Sequence, residues 1–126
     1  MEVMTRTKVM ETAREFGEAL ANCEECLAVE RAQEALRKDT QARKLLSDYQ
    51  STQRSVQMAR MWGGRIPKEE LDRLKDLETK INSNPVIKNV LDAQKRLQAM
   101  LGNLNAEISD LLGIDFVSNS SAGGCC

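Results

Sequence analysis

Apolar residues recur every three or four positions along nearly the whole chain, and no stretch alternates with the period of two expected of a half-buried strand. The spacing predicts five helices. The first, about Thr7 to Ala21, aligns Val9, Ala13, Phe16 and Leu20 on one face. Asn22 closes it or caps the next. A second helix, about Cys23 to Lys38, sets Cys26, Val29, Ala32 or Gln33, and Leu36 against a side of Glu and Arg. Asp39 and Thr40 suit an N-cap and open a third helix to about Trp62, with Ala42, Leu45, Leu46, Tyr49, Val56 and Ala59 inward. Gly63-Gly64 ends it, because glycine supplies the left-handed backbone a helix terminus needs. Pro67 then suits a first helical turn, and Glu69 and Glu70 suit the positive end of its dipole. That fourth helix, to about Ile81, buries Leu71, Leu74, Leu77 and Ile81. Asn82-Ser83-Asn84-Pro85 is a second break, of cap-then-proline type. The fifth helix, about Pro85 to Leu112, carries Val86, Val90, Ala93, Leu97, Met100 or Leu101, Leu104, Ile108 and Leu111. At ~1.5 Å per residue it extends roughly 42 Å.

The pattern therefore predicts an all-α fold: an antiparallel bundle of about five helices with a long C-terminal helix. Residues 1–112 form the helical domain. Residues 113–126 change character: a short apolar patch, Ile114-Asp115-Phe116-Val117, precedes a Ser/Asn/Gly stretch of linker composition that ends in Cys125-Cys126. A flexible tail is expected there. Helices gain most of their stability from packing an apolar face, and the third and fifth are too long for the first two to cover. The surplus stripe of the fifth helix, Leu97, Met100, Leu104 and Ile108, is expected to pair with another subunit as a homo- or hetero-oligomer. Trp62, beside the Gly63-Gly64 turn, is a further contact candidate, or else a staple closing the turn.

Composition sharpens this reading. Aromatic residues are only 3% of 126, which disfavours a β-sandwich or barrel. Eighteen basic against nineteen acidic residues give a net charge of −1, so the general attraction behind non-specific nucleic-acid or anionic-membrane binding is missing. No run approaches the ~18 apolar residues of a membrane span. Met1-Glu2-Val3-Met4-Thr5-Arg6 lacks the apolar core of a secretory signal, and a cytoplasmic location is expected. Histidine is absent altogether. That excludes Ser-His-Asp and Cys-His catalysis and every His-ligated metal site. No glycine-rich phosphate loop occurs. The expectation is a protein that binds other proteins and is not an enzyme.

The cysteines are the remaining chemistry. Cys23-Glu24-Glu25-Cys26 has the C-x-x-C spacing of redox dithiols and of half of many metal sites. It lacks the preceding strand of a thioredoxin-like motif, and the intervening glutamates would raise a thiol pKa. Two small semi-buried residues at a helix start are the simpler account, for Cys26 above all. Cys125 and Cys126 have no packing role to explain them and can ligate a soft metal or an iron–sulfur cluster, though two ligands do not complete a four-cysteine site.

From Leu71-Asp72-Arg73-Leu74-Lys75-Asp76-Leu77 through Ile81-Asn82-Ser83-Asn84-Pro85-Val86-Ile87, the chain resembles the YlbF/YmcA family of small helical bacterial regulators. The likeness continues through Val90-Leu91-Asp92-Ala93-Gln94-Lys95-Arg96-Leu97, Met100-Leu101-Gly102-Asn103-Leu104-Asn105 and Ile108, and Arg43-Lys44-Leu45-Leu46-Ser47-Asp48-Tyr49 fits the helix before them. It covers roughly residues 6 to 112. The Cys-ending tail is similar to YlbF-type members. The resemblance implies a regulatory adaptor that assembles with a YmcA-like paralogue and a YaaT-like protein. Such a complex modulates RNase Y-dependent mRNA processing and influences competence, sporulation and biofilm formation. It requires no cofactor of this chain itself but allows a 4Fe–4S cluster shared between subunits, with Cys125 and Cys126 as ligands and Cys23 and Cys26 as much weaker candidates. An iron–sulfur or thiol redox sensor built on the tail cysteines is the alternative reading.

Overall fold

The computed structural model describes residues 2–120, and all its regular structure is helical: α1 (Glu2–Ala21), α2 (Glu24–Lys38), α3 (Thr40–Met61), α4 (Lys68–Ser83), α5 (Pro85–Leu112) and α6 (Phe116–Ser120). The chain divides into two compact units. One comprises Met1–Ala28 with Ala93–Cys126, and the other is Val29–Asp92. The ends of the predicted helices fall where caps and breakers place them. Asp39 has extended backbone, and its Oδ1 accepts the Ala42 N–H at 3.0 Å, capping α3. Asn84 does the same for α5, its Oδ1 accepting the N–H groups of Val86 and Ile87 at 3.0 and 3.1 Å. Pro85, which has no N–H to offer, fills the first helical position. Gly63, at φ 70°, and Gly113, at φ 75°, adopt the left-handed conformation that follows α3 and α5.

Unit Val29–Asp92 holds most of the core. Ala32, Ala42, Val56, Leu77, Ile87 and Val90 are buried in it, and Ala93 is buried at the boundary. The inward positions of α3 run 42, 45, 49, 52, 56 and 59, alternating steps of three and four, the spacing of helices packed side by side. Position 52 is Thr, a polar residue that periodicity alone passes over. Its hydroxyl donates to the Asp48 carbonyl at 2.8 Å, so the buried side chain keeps its hydrogen bond. The α3–α4 pair is antiparallel: Tyr49 Oη donates to Glu78 Oε1 at 3.2 Å, and Ser55 Oγ lies 3.2 Å from Glu70 Oε2. Burial, followed by the Glu78 charge and hydrogen bond, pushes the Tyr49 phenol above its ordinary pKa. Ile87, not placed on the α5 stripe by spacing, is buried at 3% exposure.

The other unit departs from expectation. α1 starts five residues earlier than predicted, at Glu2 and not Thr7, and the Thr7 hydroxyl folds back onto the Val3 carbonyl at 2.9 Å without breaking the helix. No residue of α1 is buried. Its expected inward stripe is largely uncovered: Val9 is 60% and Phe16 44% exposed, and only Leu20 is half-buried. At the far end of α5, Leu111 is 88% exposed, although spacing puts it on the inward face. Periodicity identifies a shared face; it does not say how much of that face one chain covers.

Part of the expected tail is ordered as α6. The Phe116 N–H donates to Ser109 Oγ at 2.9 Å, and the Val117 N–H donates to Asn105 Oδ1 at 3.1 Å, so two polar side chains of α5 hold the start of α6. Asp115 Oδ1 accepts the Ser118 N–H at 2.8 Å. That backbone bond, then the Ser118 hydroxyl and lesser bonds from Val117 and Asn105, hold the Asp115 carboxyl below its ordinary pKa. A carboxyl depressed by folding contributes stability above its unfolded pKa, and that contribution is lost as pH falls through the lower folded value. Acidification through the low end of the carboxylate range is therefore expected to release α6 first. Amide exchange at Val117 and Ser118 should accelerate there, while the α3 and α4 amides keep their protection.

Candidate protein interface

A groove of about 560 Å³ opens within the unit formed by the chain ends. One wall is a single face of α1, made by Thr5, Lys8, Val9, Thr12, Ala13 and Phe16 at helical spacing. Ile108 of α5 and Phe116 of α6 complete it. The lining is almost wholly apolar, with the Lys8 stem and two threonine side chains its concession to water. Phe116 stands there because Asn105 and Ser109 fix the start of α6, and Phe16 because α1 continues unbroken past it. Two aromatic rings and two branched aliphatics in an open groove suit the burial of apolar side chains from another protein.

The residues singled out from sequence are distributed unevenly. Ile108 lines the groove, whereas Leu97, Met100 and Leu104 are half-buried on α5 and do not. Trp62 is 82% exposed, in the C-cap position of α3, with Met61 also 82% and Met58 51% exposed on the preceding turn. It therefore presents a flexible apolar surface and closes no turn by packing. Because Trp62 is the single tryptophan, the emission of the free chain should be that of a water-exposed indole. A shift to shorter wavelength on adding a binding partner would place Trp62 in the contact. Unchanged emission on saturated binding would exclude it.

Cys23 and Cys26 are free and half-buried. Desolvation, then the hydrogen bond and charge of Cys23 and the charge of Glu25, push the Cys26 thiol above its ordinary pKa. Among the described residues, no group of three or more Cys, Asp or Glu side chains is arranged to hold a metal ion. Two sulfurs do not fit an iron–sulfur cluster by themselves. Cys125 and Cys126 lie outside the described residues. No helix among the described residues is long and apolar enough to cross a membrane. The sequence signals for the α1 groove were Val9 and Phe16, expected on an inward stripe, and Phe116, noted as part of a short apolar patch in a tail expected to be flexible.

A UPF0342 protein of Streptococcus agalactiae is 33% identical over 109 residues, covering 82% of this chain and 97% of that protein. Another, from Alkalihalophilus pseudofirmus, is 26% identical over 106 residues, covering 84% and 90%. Among solved structures, Bacillus subtilis RicA, crystallised in complex with RicF, superposes with a TM-score of 0.77 at 15% identity over 85% of this chain and 95% of that one. A Bacillus stearothermophilus protein of unknown function superposes with a TM-score of 0.60 at 16% identity. These likenesses show a shared helical fold. The family model described as control of competence regulator ComK, YlbF/YmcA, matches residues 9–112, which contain the whole run from Arg43 to Ile108, and the chain belongs to the YlbF/YmcA family of bacterial regulators.

Proposed function

We propose that this protein is a non-catalytic adaptor subunit whose α1 groove receives a helix of a second, family-related chain. One observation carries the reading: a helix of 20 residues with apolar side chains at 9, 13 and 16 has no buried residue in the isolated chain. Such a helix gains little from propensity alone and needs a packed face. RicA, which shares the fold, is seen in complex with a second protein, RicF, and that supports a second protein chain as the occupant here. In this reading the partner is a YmcA-like paralogue or a second copy, and the assembly works in the cytoplasm. A YaaT-like protein and RNase Y are its further partners, with the subunit influencing competence, sporulation and biofilm formation through mRNA processing. A shared 4Fe–4S cluster would draw on Cys125 and Cys126, with its other ligands from a partner subunit. The absence of histidine and of any phosphate loop supports a binding role over a catalytic one.

The test is purification of the tagged full-length chain from its native host under anaerobic conditions, followed by identification of what accompanies it. Recovery of a family paralogue or a ribonuclease supports the adaptor role, and iron in stoichiometric amount supports the cluster. A chain that is recovered alone and sediments strictly as a monomer at micromolar concentration contradicts the reading.

A further inference from the structure

The Cys23-Glu24-Glu25-Cys26 turn has no part in the interface described above. The Cys23 carbonyl accepts the Leu27 N–H at 3.0 Å, which makes Cys23 the N-cap of α2 and Cys26 its third helical residue. This register matters. Two residues three apart inside a helix hold their Cβ atoms about 5–6 Å apart, wider than the ~3.5–4.5 Å of a disulfide. An N-cap residue has left the helical path, and its side chain turns back over the second and third residues, as serine and aspartate do when they cap. In keeping with that register, the Cys23 side chain is near enough to act on the Cys26 thiol, raising its pKa by hydrogen bond and charge. Both are free, and both are partly open to solvent. Capping does not explain the choice of residue, since a thiol accepts the helix N–H groups far more weakly than the oxygen of Ser, Thr, Asp or Asn.

We propose that Cys23 and Cys26 are a dithiol oxidation site that closes an intramolecular disulfide across the first turn of α2, with a low-molecular-weight disulfide as the oxidant. The thiolate of one cysteine attacks a sulfur of the oxidant, breaking its S–S bond and releasing one small thiol. The thiolate of the second cysteine attacks the mixed disulfide, forms the Cys23–Cys26 bond and releases the other. Two electrons and two protons pass from the protein to the oxidant, which leaves as two thiols. The bond would constrain the backbone from Cys23 to Cys26, across the first turn of α2, which is separated by two residues from the end of α1 at Ala21.

The test uses full-length protein carrying Cys125→Ser and Cys126→Ser, treated with oxidised glutathione, acid-quenched, alkylated and weighed intact. The expected product is lighter by two hydrogen atoms, carries neither glutathione nor alkyl label, runs as a single chain on a non-reducing gel, and regains both labels after dithiothreitol. Cys23→Ser and Cys26→Ser should each retain one glutathione instead, with unchanged helical circular dichroism to show that they fold. Persisting glutathione adducts on the paired chain, an interchain disulfide, or thiols that stay free under the same treatment would each overturn the proposal.

Discussion

Replacing Phe16 with glutamate is expected to weaken assembly with the partner chain by about 100-fold or more while leaving the free chain folded. Phe16 is 44% exposed in the isolated chain and shares the groove with Val9, Ile108 and Phe116. A buried aromatic in the middle of an interface is the kind of residue whose truncation costs roughly 2 kcal/mol or more, and ~1.4 kcal/mol is already tenfold in affinity. Glutamate adds the desolvation of a charge with nothing in the groove to pair it except Lys8 at the rim. The free chain has little to lose, because α1 contributes no buried residue to it. Sedimentation against concentration, alone and with the partner, measures the effect, and unchanged circular dichroism confirms the fold. Phe116→Glu should act in the same direction. The two together should weaken assembly by less than the product of the single effects, because both remove the same pocket. An exposed position away from the groove, Gln53→Glu on α3, is the control. If Phe16→Glu and Gln53→Glu sediment alike, the groove is not the contact.

Why the groove could not be read beforehand is itself physical. The apolar stripe of α1 was visible at Val9, Ala13, Phe16 and Leu20, and so was its helical period. What spacing omits is depth of burial. Val56 and Phe16 occupy equivalent places in their patterns, yet one is 4% and the other 44% exposed, because α3 has α4 against it within this chain. The caps, in contrast, were legible residue by residue. Asp39 and Asn84-Pro85 act through bonds to residues two or three positions away, so the local sequence holds all the information. Thr52 and α6 lie at the other extreme. Thr52 is polar and buried only because its hydroxyl finds the Asp48 carbonyl, and α6 forms in a stretch of linker composition because Asn105 and Ser109 reach it from the preceding helix. Resemblance to the YlbF/YmcA family came from stretches that include the Asn84-Pro85 cap and the buried Ala93, where local sequence and fold are tightly tied. Ala32, Ala42 and Ala93 are the least exposed residues of the core, and no larger side chain is buried as deeply. Alanine at those points lets neighbouring backbones approach closely, so the positions tolerate little else.

That small-residue core sets the second large effect. Leu77→Ala is expected to lower the stability of the chain by about 2–4 kcal/mol, because Leu77 is 6% exposed and few other large side chains are buried as deeply. Its loss would open a void where α4 packs on α3. In thermal unfolding this is roughly 10 °C or more. Leu111→Ala removes the same atoms from a side chain that is 88% exposed, and should leave the free chain within about 0.5 kcal/mol of the original. The comparison becomes informative when the measurement is repeated at rising protein concentration or with partner added. Assembly stabilises whatever folded state binds, by an amount that grows with concentration. The Leu77→Ala deficit should persist as an offset of similar size at every concentration, since it lies in a core the chain builds alone. A Leu111→Ala deficit that is absent in the free chain and emerges only in the complex would mark the end of α5 as part of the interface. If Leu111→Ala already costs as much as Leu77→Ala in dilute solution, α5 is packed along its whole length within one chain, and an unpartnered C-terminal end is wrong.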